Sequence, residues 1–240
     1  MTIYGVGDIH GQRALLDEVL ERIEHDGGPE AEVVFVGDYI DRGPDSRGVI
    51  DRLIEGVAAG RKWTCLMGNH DRMFATFLQT GSVDFTQIKS ALPWTHRRLG
   101  GLATLESYGI DVTGERSADA LWQDAREAVP EAHLDFLLGL SPYAERPGLL
   151  FVHAGIRPGV ALADQVEDDL IWIREPFLSH PDPHPWLVVH GHTQVETAEH
   201  RGNRVNLDGG AGYGRPLCAV AFEEGEVFAL TPRGRVPLLP

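Results

Sequence analysis

Five short polar segments carry residue types that bind cations and move protons: Gly7-Asp8-Ile9-His10-Gly11, Gly37-Asp38-Tyr39-Ile40-Asp41-Arg42-Gly43, Gly68-Asn69-His70-Asp71, His153-Ala154-Gly155 and His190-Gly191-His192-Thr193. Together they offer carboxylate, amide and imidazole donors and no thiolate. Asp8 and His10 flank one residue, so in a loop leaving a strand both side chains can reach one face and hold one cation. Asp38 ends an apolar run, and its two oxygens can bridge two ions about 3.5–4 Å apart, the separation that clamps the attacking and leaving oxygens of a phosphoryl displacement. The second ion would take Asn69, His153 and His192. Such a donor set suits two divalent first-row cations, Mn²⁺ first with Fe or Zn²⁺ as alternatives, and not Ca²⁺ alone or copper–thiolate chemistry. A single Asp or Asn beside Gly is more often a turn residue. That does not explain why each is followed closely by His or by Asp-Arg.

Strands and helices must deliver these residues. Short runs rich in β-branched residues at Ile3–Val6, 33–36, 63–67, Leu149–Val152 and 186–189 read as buried strands, each giving way to one of the five segments. Leu15, Leu16, Val19, Leu20 and Ile23 fall at helical spacing. Asp45 or Ser46 can cap a second helix with an inner face of Val49, Ile50, Leu53, Ile54 and Val57. Strand, loop and helix thus recur three times by about residue 79. Residues of about 80–140 break the rhythm with Trp94, the cluster His96-Arg97-Arg98, paired Gly100-Gly101, and helices expected at Ala118–Ala128 and 131–139, Pro130 standing at a helix start. This is read as a helical insertion covering the site. Further strands are expected at 204–207, 217–222 and 226–230, the last two joined by Glu223-Glu224-Gly225 as a hairpin. The expected fold is α/β, two packed β-sheets with helices outside, as one domain over residues 1–240.

With 240 residues, 42% of them apolar, the chain can bury one good core. A formal net charge of −15 argues against a nucleic-acid or anionic-membrane partner. Phosphate would then be attracted locally, by cations and a few arginines. The N-terminus runs straight into the first strand, leaving no room for a signal segment, and no run approaches the ~20 apolar residues of a membrane span. Cys65 and Cys218 form no C-x-x-C motif and are expected to be buried, reduced thiols, so the expected compartment is the cytoplasm. His25, His133 and His200 are expected at the solvated surface, and His180 and His184 in a Pro-rich loop. No feature indicates an oligomeric state.

In order and spacing, G-D-I-H-G, G-D-Y-I-D-R-G, G-N-H-D, V-H-A-G and G-H-T resemble the calcineurin-like metallophosphoesterases, and more narrowly the bacterial members of their phosphoprotein (serine/threonine) phosphatase branch. The motifs run from residue 7 to 193, with similar stretches to residue 214. The resemblance implies the calcineurin-like fold of two mixed sheets with a helical cap. It also implies a binuclear metal centre whose bridging hydroxide attacks phosphorus in line, with no covalent intermediate. It makes His192 the ligand of the last motif and leaves His190 behind it. His70 would protonate the leaving oxygen, while Asp41 holds the imidazole and favours its protonated form. Arg42 and Arg174 would clamp phosphate, Arg174 through its place in Leu170-Ile171-Trp172-Ile173-Arg174-Glu175, because a guanidinium matches phosphoryl oxygens as a fork. Asp71 replaces the Glu of eukaryotic members and is not expected to bind metal. Gln194 stands where other metallophosphoesterases have a further His, which fits the phosphatase branch. Gly100 to Gly109 resembles a segment that shapes the substrate entrance in bacterial members, plain packing being the alternative.

The implied substrate is a phosphomonoester, on a phosphorylated protein (serine/threonine or dual specificity) or a small molecule. The alternative is a symmetrical bis(5′-nucleosyl)-tetraphosphatase, whose family often lacks the acid before Arg that is present here as Asp41. A phosphoprotein-binding module without turnover is the reading from another class, and complete ligands plus His70 weigh against it.

Overall fold

The computed structural model describes residues 2–88 and 90–240. The chain begins with three strand–helix units: β1 (Ile3–Val6), α1 (Arg13–Gly27), β2 (Glu32–Phe35), α2 (Ser46–Ala58), β3 (Trp63–Cys65) and α3 (Asn69–Thr80). Three more helices follow, α4 (Gly101–Ser107), α5 (Ala118–Ala128) and α6 (Glu131–Leu138). The second half holds β4 (Tyr143–Arg146), β5 (Leu149–Val152), α7 (Glu167–Trp172), β6 (Leu187–His190), β7 (Glu199–His200), β8 (Arg204–Asn206), β9 (Ala219–Glu223), β10 (Glu226–Thr231) and β11 (Gly234–Pro237).

Two mixed sheets result. One runs β11-β10-β9-β1-β2-β3, with β1, β2 and β3 parallel, and the other runs β4-β5-β6-β8-β7, with β5, β6 and β8 parallel. Successive strand residues point to opposite faces, and here each face has its own core. Tyr4, Val6, Val33, Phe35, Ala219 and Ala221 join the core under the helices, whereas Ile3, Val34, Val220 and Phe222 meet Phe151, Val189, Val205 and Leu207 of the other sheet. Phe151 and Phe222 close that inner layer edge to face, with centroids 5.7 Å apart. The near-continuous apolar runs of β2 and β5 follow from this, because both faces are covered. No described helix is long and apolar enough to cross a membrane.

The stretch after α3 holds α5 and α6 at the positions where helices were expected, and the additional short helix α4. It packs on the first units: α4 and α6 against α2, and α5 and α6 against α3. The Trp122 indole N–H donates to Leu78 O at 2.9 Å. His133 departs from expectation. It is buried in α6 beside Leu137, with Nδ1 2.8 Å from the Tyr108 hydroxyl and Nε2 2.9 Å from Asp51, because the helix turns that face onto α2. His25 is exposed and His200 half-buried, and Cys65 and Cys218 are free and half-buried. Strand β3 ends two residues early, since Met67 N–H turns away to Ser141 O (2.8 Å). The strands that sequence reasoning passed over, β4, β7 and β11, are short, polar and at or next to sheet edges. Their pairing depends on a partner strand and not on their own pattern.

At Gly7 the first sheet's β1 end lies close against Leu207, which follows β8 of the other sheet. A β-carbon there would lie 2.1 Å from Leu207 O, a backbone atom that cannot swing aside. Gly7→Ala should therefore lower unfolding stability by about 1–3 kcal/mol. Val57→Ala, at an exposed helix position, should stay within about 0.5 kcal/mol. Urea unfolding of both variants measures the difference, and equal midpoints would contradict the close approach.

Candidate metal centre

Both sheets aim the carboxyl ends of their parallel strands at one place, the position where open α/β sheets bind ligands. Asp8 and His10 follow β1, Asp38 follows β2, Asn69 and His70 open α3 after β3, His153 follows β5 and His192 follows β6. Backbone bonds tie these loops together. His10 N–H donates to Asp38 O (2.8 Å), Gly191 N–H to His153 O (2.8 Å), and His192 N–H to the Asp8 carboxylate (3.0 Å). His10 (φ 48°), Asp38 (55°), Asp41 (71°), Arg42 (69°) and His192 (62°) all occupy the left-handed region. Non-glycine residues are uncommon there, and such strain concentrates where the surrounding structure enforces a functional geometry.

The ring orientations follow from second contacts. His10 Nδ1 faces Ile40 O at 2.8 Å and His153 Nδ1 faces Val36 O at 2.9 Å. A carbonyl accepts only from an N–H, so each Nε2 is left with its lone pair toward the cluster. Asn69 Oδ1 lies 3.0 Å from His153 Nε2 and 2.8 Å from His192 Nδ1, so the amide oxygen and two imidazoles converge. Donor atoms of Asp8, Asp38 and His153 lie within 4.8 Å of one another, as do those of His10, Asp38 and His70. Asp38 is common to both groups. His190 belongs to neither group: its Nδ1 faces Gly191 O (3.0 Å) and its ring meets Phe177 edge to face.

The six donors fit divalent cations. Asp8 Oδ1 is buried with no hydrogen-bond partner, and His192 turns its Nδ1 to the Asn69 amide oxygen. Burial, then the neighbouring Asp208 and Asp38 carboxylates, push Asp8 well above the usual carboxylate range, and burial likewise raises Asp38. Burial holds His10 and His192 well below the usual imidazole range and His153 at about 4. Neutral imidazoles beside crowded acids are the state from which ligands take up a cation.

Beside the donors, His70 Nδ1 lies 2.6 Å from Asp41 Oδ2. Arg42 reaches both rings, donating from Nη1 to His10 Nε2 and from Nη2 to His70 Nε2 at 3.0 Å. Asp41 holds the ring as the resemblance implies. Burial first, then Arg42, nonetheless keep His70 well below the usual imidazole range. Arg174 is exposed on the segment after α7 and lines the same cavity.

The insertion supplies what sequence reasoning missed. Thr104 Oγ donates to Asp41 Oδ1 (2.6 Å), and the Trp94 indole N–H donates to Asp41 Oδ2 (2.8 Å). Burial still lifts Asp41 to about 7 against these donors. Gly100 and Gly101 permit this docking: Gly100 O accepts Arg42 N–H (3.3 Å), and a β-carbon on Gly100 would lie 2.3 Å from that nitrogen. Two acids were also undervalued. Asp71 accepts N–H bonds from Asp38 (2.7 Å), Tyr39 (3.0 Å) and Gly68 (3.0 Å), pinning the second and third loops to each other. Asp208, after β8, is buried near Asp8 and accepts the Gly210 N–H (3.0 Å). Asp208-Gly209-Gly210 sets an acid beside glycine just after the apolar run of β8, a signal like that of the first two segments, which could have found it.

Two predictions follow from the electrostatics and the clamp. A carboxylate whose folded pKa is raised stabilises the fold below its unfolded value near ~3.9 and loses that contribution as pH rises through the raised value. Cations displace these protons, so the rise in Tm on adding Mn²⁺ should grow with pH between 5.5 and 8. Each proton displaced adds up to about 1.4 kcal/mol per pH unit, about 3–6 °C for this size of chain. An increment independent of pH, followed by thermal denaturation, would contradict the reading. Thr104→Val leaves a buried carboxylate short of a donor. It should cost about 1–3 kcal/mol of stability and lower kcat, with metal content by elemental analysis unchanged.

The profile of the calcineurin-like phosphoesterases matches residues 1–218. The chain is 27% identical to the asymmetrical bis(5′-nucleosyl)-tetraphosphatase PrpE of Halalkalibacterium halodurans, over 95% of this chain and 93% of that protein. It is 37% identical to the symmetrical bis(5′-nucleosyl)-tetraphosphatase of Janthinobacterium sp. (strain Marseille) over a shorter stretch, 30% of this chain and 24% of that protein. Among solved structures, a candidate diadenosine tetraphosphatase superposes with a TM-score of 0.67 at 23% identity, covering 99% of this chain and 94% of the other. A cold-active protein tyrosine phosphatase from a psychrophilic Shewanella gives 0.62 at 16% identity, covering 99% and 80%. These structural likenesses speak for the fold. The match over residues 1–218 takes in every donor of the cluster, and the chain belongs to the calcineurin-like phosphoesterase family.

Proposed function

We propose that this chain is a metal-dependent phosphohydrolase acting on a dinucleoside polyphosphate, cleaved away from the centre of its phosphate chain. The observation that carries the reading is the cavity above the donors. It encloses about 900 Å³ and is lined by His10, Asp38, Asn69, His70 and His192 together with Arg42, Arg98 and Arg174. That lies near the upper end of the ~300–1,000 Å³ that holds a drug-sized ligand, far more than one phosphoryl group needs. The side chains of Arg98 and Arg174 have no ion pair among the described residues, so their charge is free to meet phosphates. The asymmetrical tetraphosphatases that align along almost the whole chain support the same reading.

Asp8, His10 and Asp38 would hold one ion, and Asp38, Asn69, His153 and His192 the other. When bound, the ions lower the pKa of water and offset charge on phosphoryl oxygens. Arg42 would bind the reacting phosphate as a fork, leaving the two imidazoles to do so. With Arg42 drawn to phosphate, His70 Nε2 can carry a proton to the leaving oxygen, and Asp41 keeps Nδ1 protonated and the ring in place.

A second reading, a phosphatase of phosphorylated proteins, rests on Asp41. The acid before Arg is present and tightly held, which is the feature that favours phosphomonoester hydrolysis over symmetrical tetraphosphate cleavage. It does not weigh against asymmetrical cleavage.

A hydrolysis panel with Mn²⁺ decides between them. The expected result is a higher kcat/KM for diadenosine tetraphosphate than for phosphopeptides, with one mononucleotide and one nucleoside triphosphate as products and no turnover after chelation. Preference for phosphopeptides would promote the second reading, and full activity without metal would overturn both. His70→Asn should keep its metal and lower kcat by roughly 10²–10⁴ on a phosphoserine peptide, whose leaving oxygen needs a proton. The loss should be smaller on an activated aryl phosphate. Equal losses, or loss of metal, would make His70 a ligand or an electrostatic clamp.

A further inference from the structure

Part of the cavity wall is apolar, and neither the metal donors nor the arginines account for it. Met73 of α3, Ile88 and Leu99 from the segment between α3 and α4, and Trp172, Ile173 and Leu178 at and after the end of α7 all line it. Ile88, Leu99 and Trp172 are only half-buried, so they present surface to whatever enters. The Trp172 ring meets the ligand candidate His192 edge to face at 6.1 Å. A flat apolar surface therefore begins directly beside the reaction centre.

Charge on the same wall is already sorted. Of the carboxylates lining the cavity, Asp168 accepts from Gln87 Nε2 (2.9 Å) and faces Arg72, and Asp169 is held in a fork by Arg157 (2.9 and 2.9 Å). Glu175 accepts from the Ser179 hydroxyl. Arg98 and Arg174 have no such partner among the described residues. Apolar surface near the donors, with unspent guanidinium groups around it, matches a ligand that joins an aromatic ring to a chain of anions.

We propose that Trp172, with Ile88 and Leu99, is the nucleobase site, and that Arg98 binds phosphates beyond the one being attacked. The inference rests on the dinucleoside polyphosphate reading above and gives it a structural cause. A base stacked on an indole this close to His192 leaves its own 5′-phosphate over the donors, and not a phosphate further along the chain. Attack there releases a mononucleotide and places the rest of the chain in the leaving group, where Arg98 would meet it.

The test compares two competitive inhibitors of aryl phosphate hydrolysis by the Mn²⁺-loaded protein, adenosine 5′-monophosphate and ribose 5-phosphate, which differ only in the base. Stacking of one base on an aromatic side chain predicts that the nucleotide binds about 5- to 150-fold more tightly. Trp172→Leu, which keeps apolar bulk, should bring that ratio close to one, and Trp172→Phe should keep most of it. Leu99→Ala provides a second measure of the ratio should Trp172→Leu fold poorly, and it should lower the ratio several-fold. Arg98→Ala, at an exposed position, should raise KM for diadenosine tetraphosphate about tenfold without moving the inhibition constant of the nucleotide. A wild-type ratio of one, or a ratio unmoved in Trp172→Leu and Leu99→Ala, would overturn the base site even if the tetraphosphate is hydrolysed. A base-dependent ratio in a protein that leaves the tetraphosphate intact would uphold the base site and sink the dinucleoside reading instead.

Discussion

Three buried carboxylates, Asp8, Asp38 and Asp208, crowd the meeting point of two sheets, where burial first, and then the charge of Asp208 on Asp8 and Asp38, lifts their pKa. Taking like charges out of water is costly unless something neutralises them. Arg42 is the cation that reaches in, and it spends its hydrogen bonds on His10 and His70. Two divalent cations would relieve that repulsion and employ the orphaned Asp8 Oδ1 and the His192 Nδ1 that faces Asn69 Oδ1. On this account the rest of the molecule serves to hold acids together that would otherwise separate.

The frame achieves this through backbone contacts more than through side-chain packing. Asp38 carries the account: its carbonyl accepts from Ile9 and His10, its N–H donates to Asp71, and its carboxylate accepts the His70 N–H (2.9 Å) while facing both donor groups. A residue so constrained cannot move with one loop alone. The insertion then joins site geometry to fold stability, because the same Thr104 and Trp94 that dock it onto the first units also hold the Asp41 carboxylate. The stacked rings of Phe74 and Trp94 (5.5 Å) anchor that contact in the core. Of the two readings set out from sequence for Gly100 to Gly109, packing is the one these contacts carry.

The donors were legible from sequence because each sits where an apolar run meets glycine, a local signal, and because five such signals share an order. The central strands were legible for the same local reason. Asp71 was undervalued since its role lies in three backbone N–H groups brought to it by folding, which no spacing reveals. Trp94 and Thr104 were invisible as partners of Asp41 because their contacts span 53 and 63 residues of chain. His133 was misjudged because helical periodicity locates a buried face only once the facing helix is known. The proposed substrate class lay further out of reach, since it rests on half-buried side chains around a cavity that α3, α7 and the segments beside them line only in three dimensions.

The central claim is that Asp38 joins two cations into one centre. Electron paramagnetic resonance of the Mn²⁺-saturated protein, with the ions per chain counted in the same sample, tests it most directly. The account predicts two ions per chain and the spectrum of an exchange-coupled pair. One ion per chain, or two ions giving the six-line signal of isolated Mn²⁺, would contradict it.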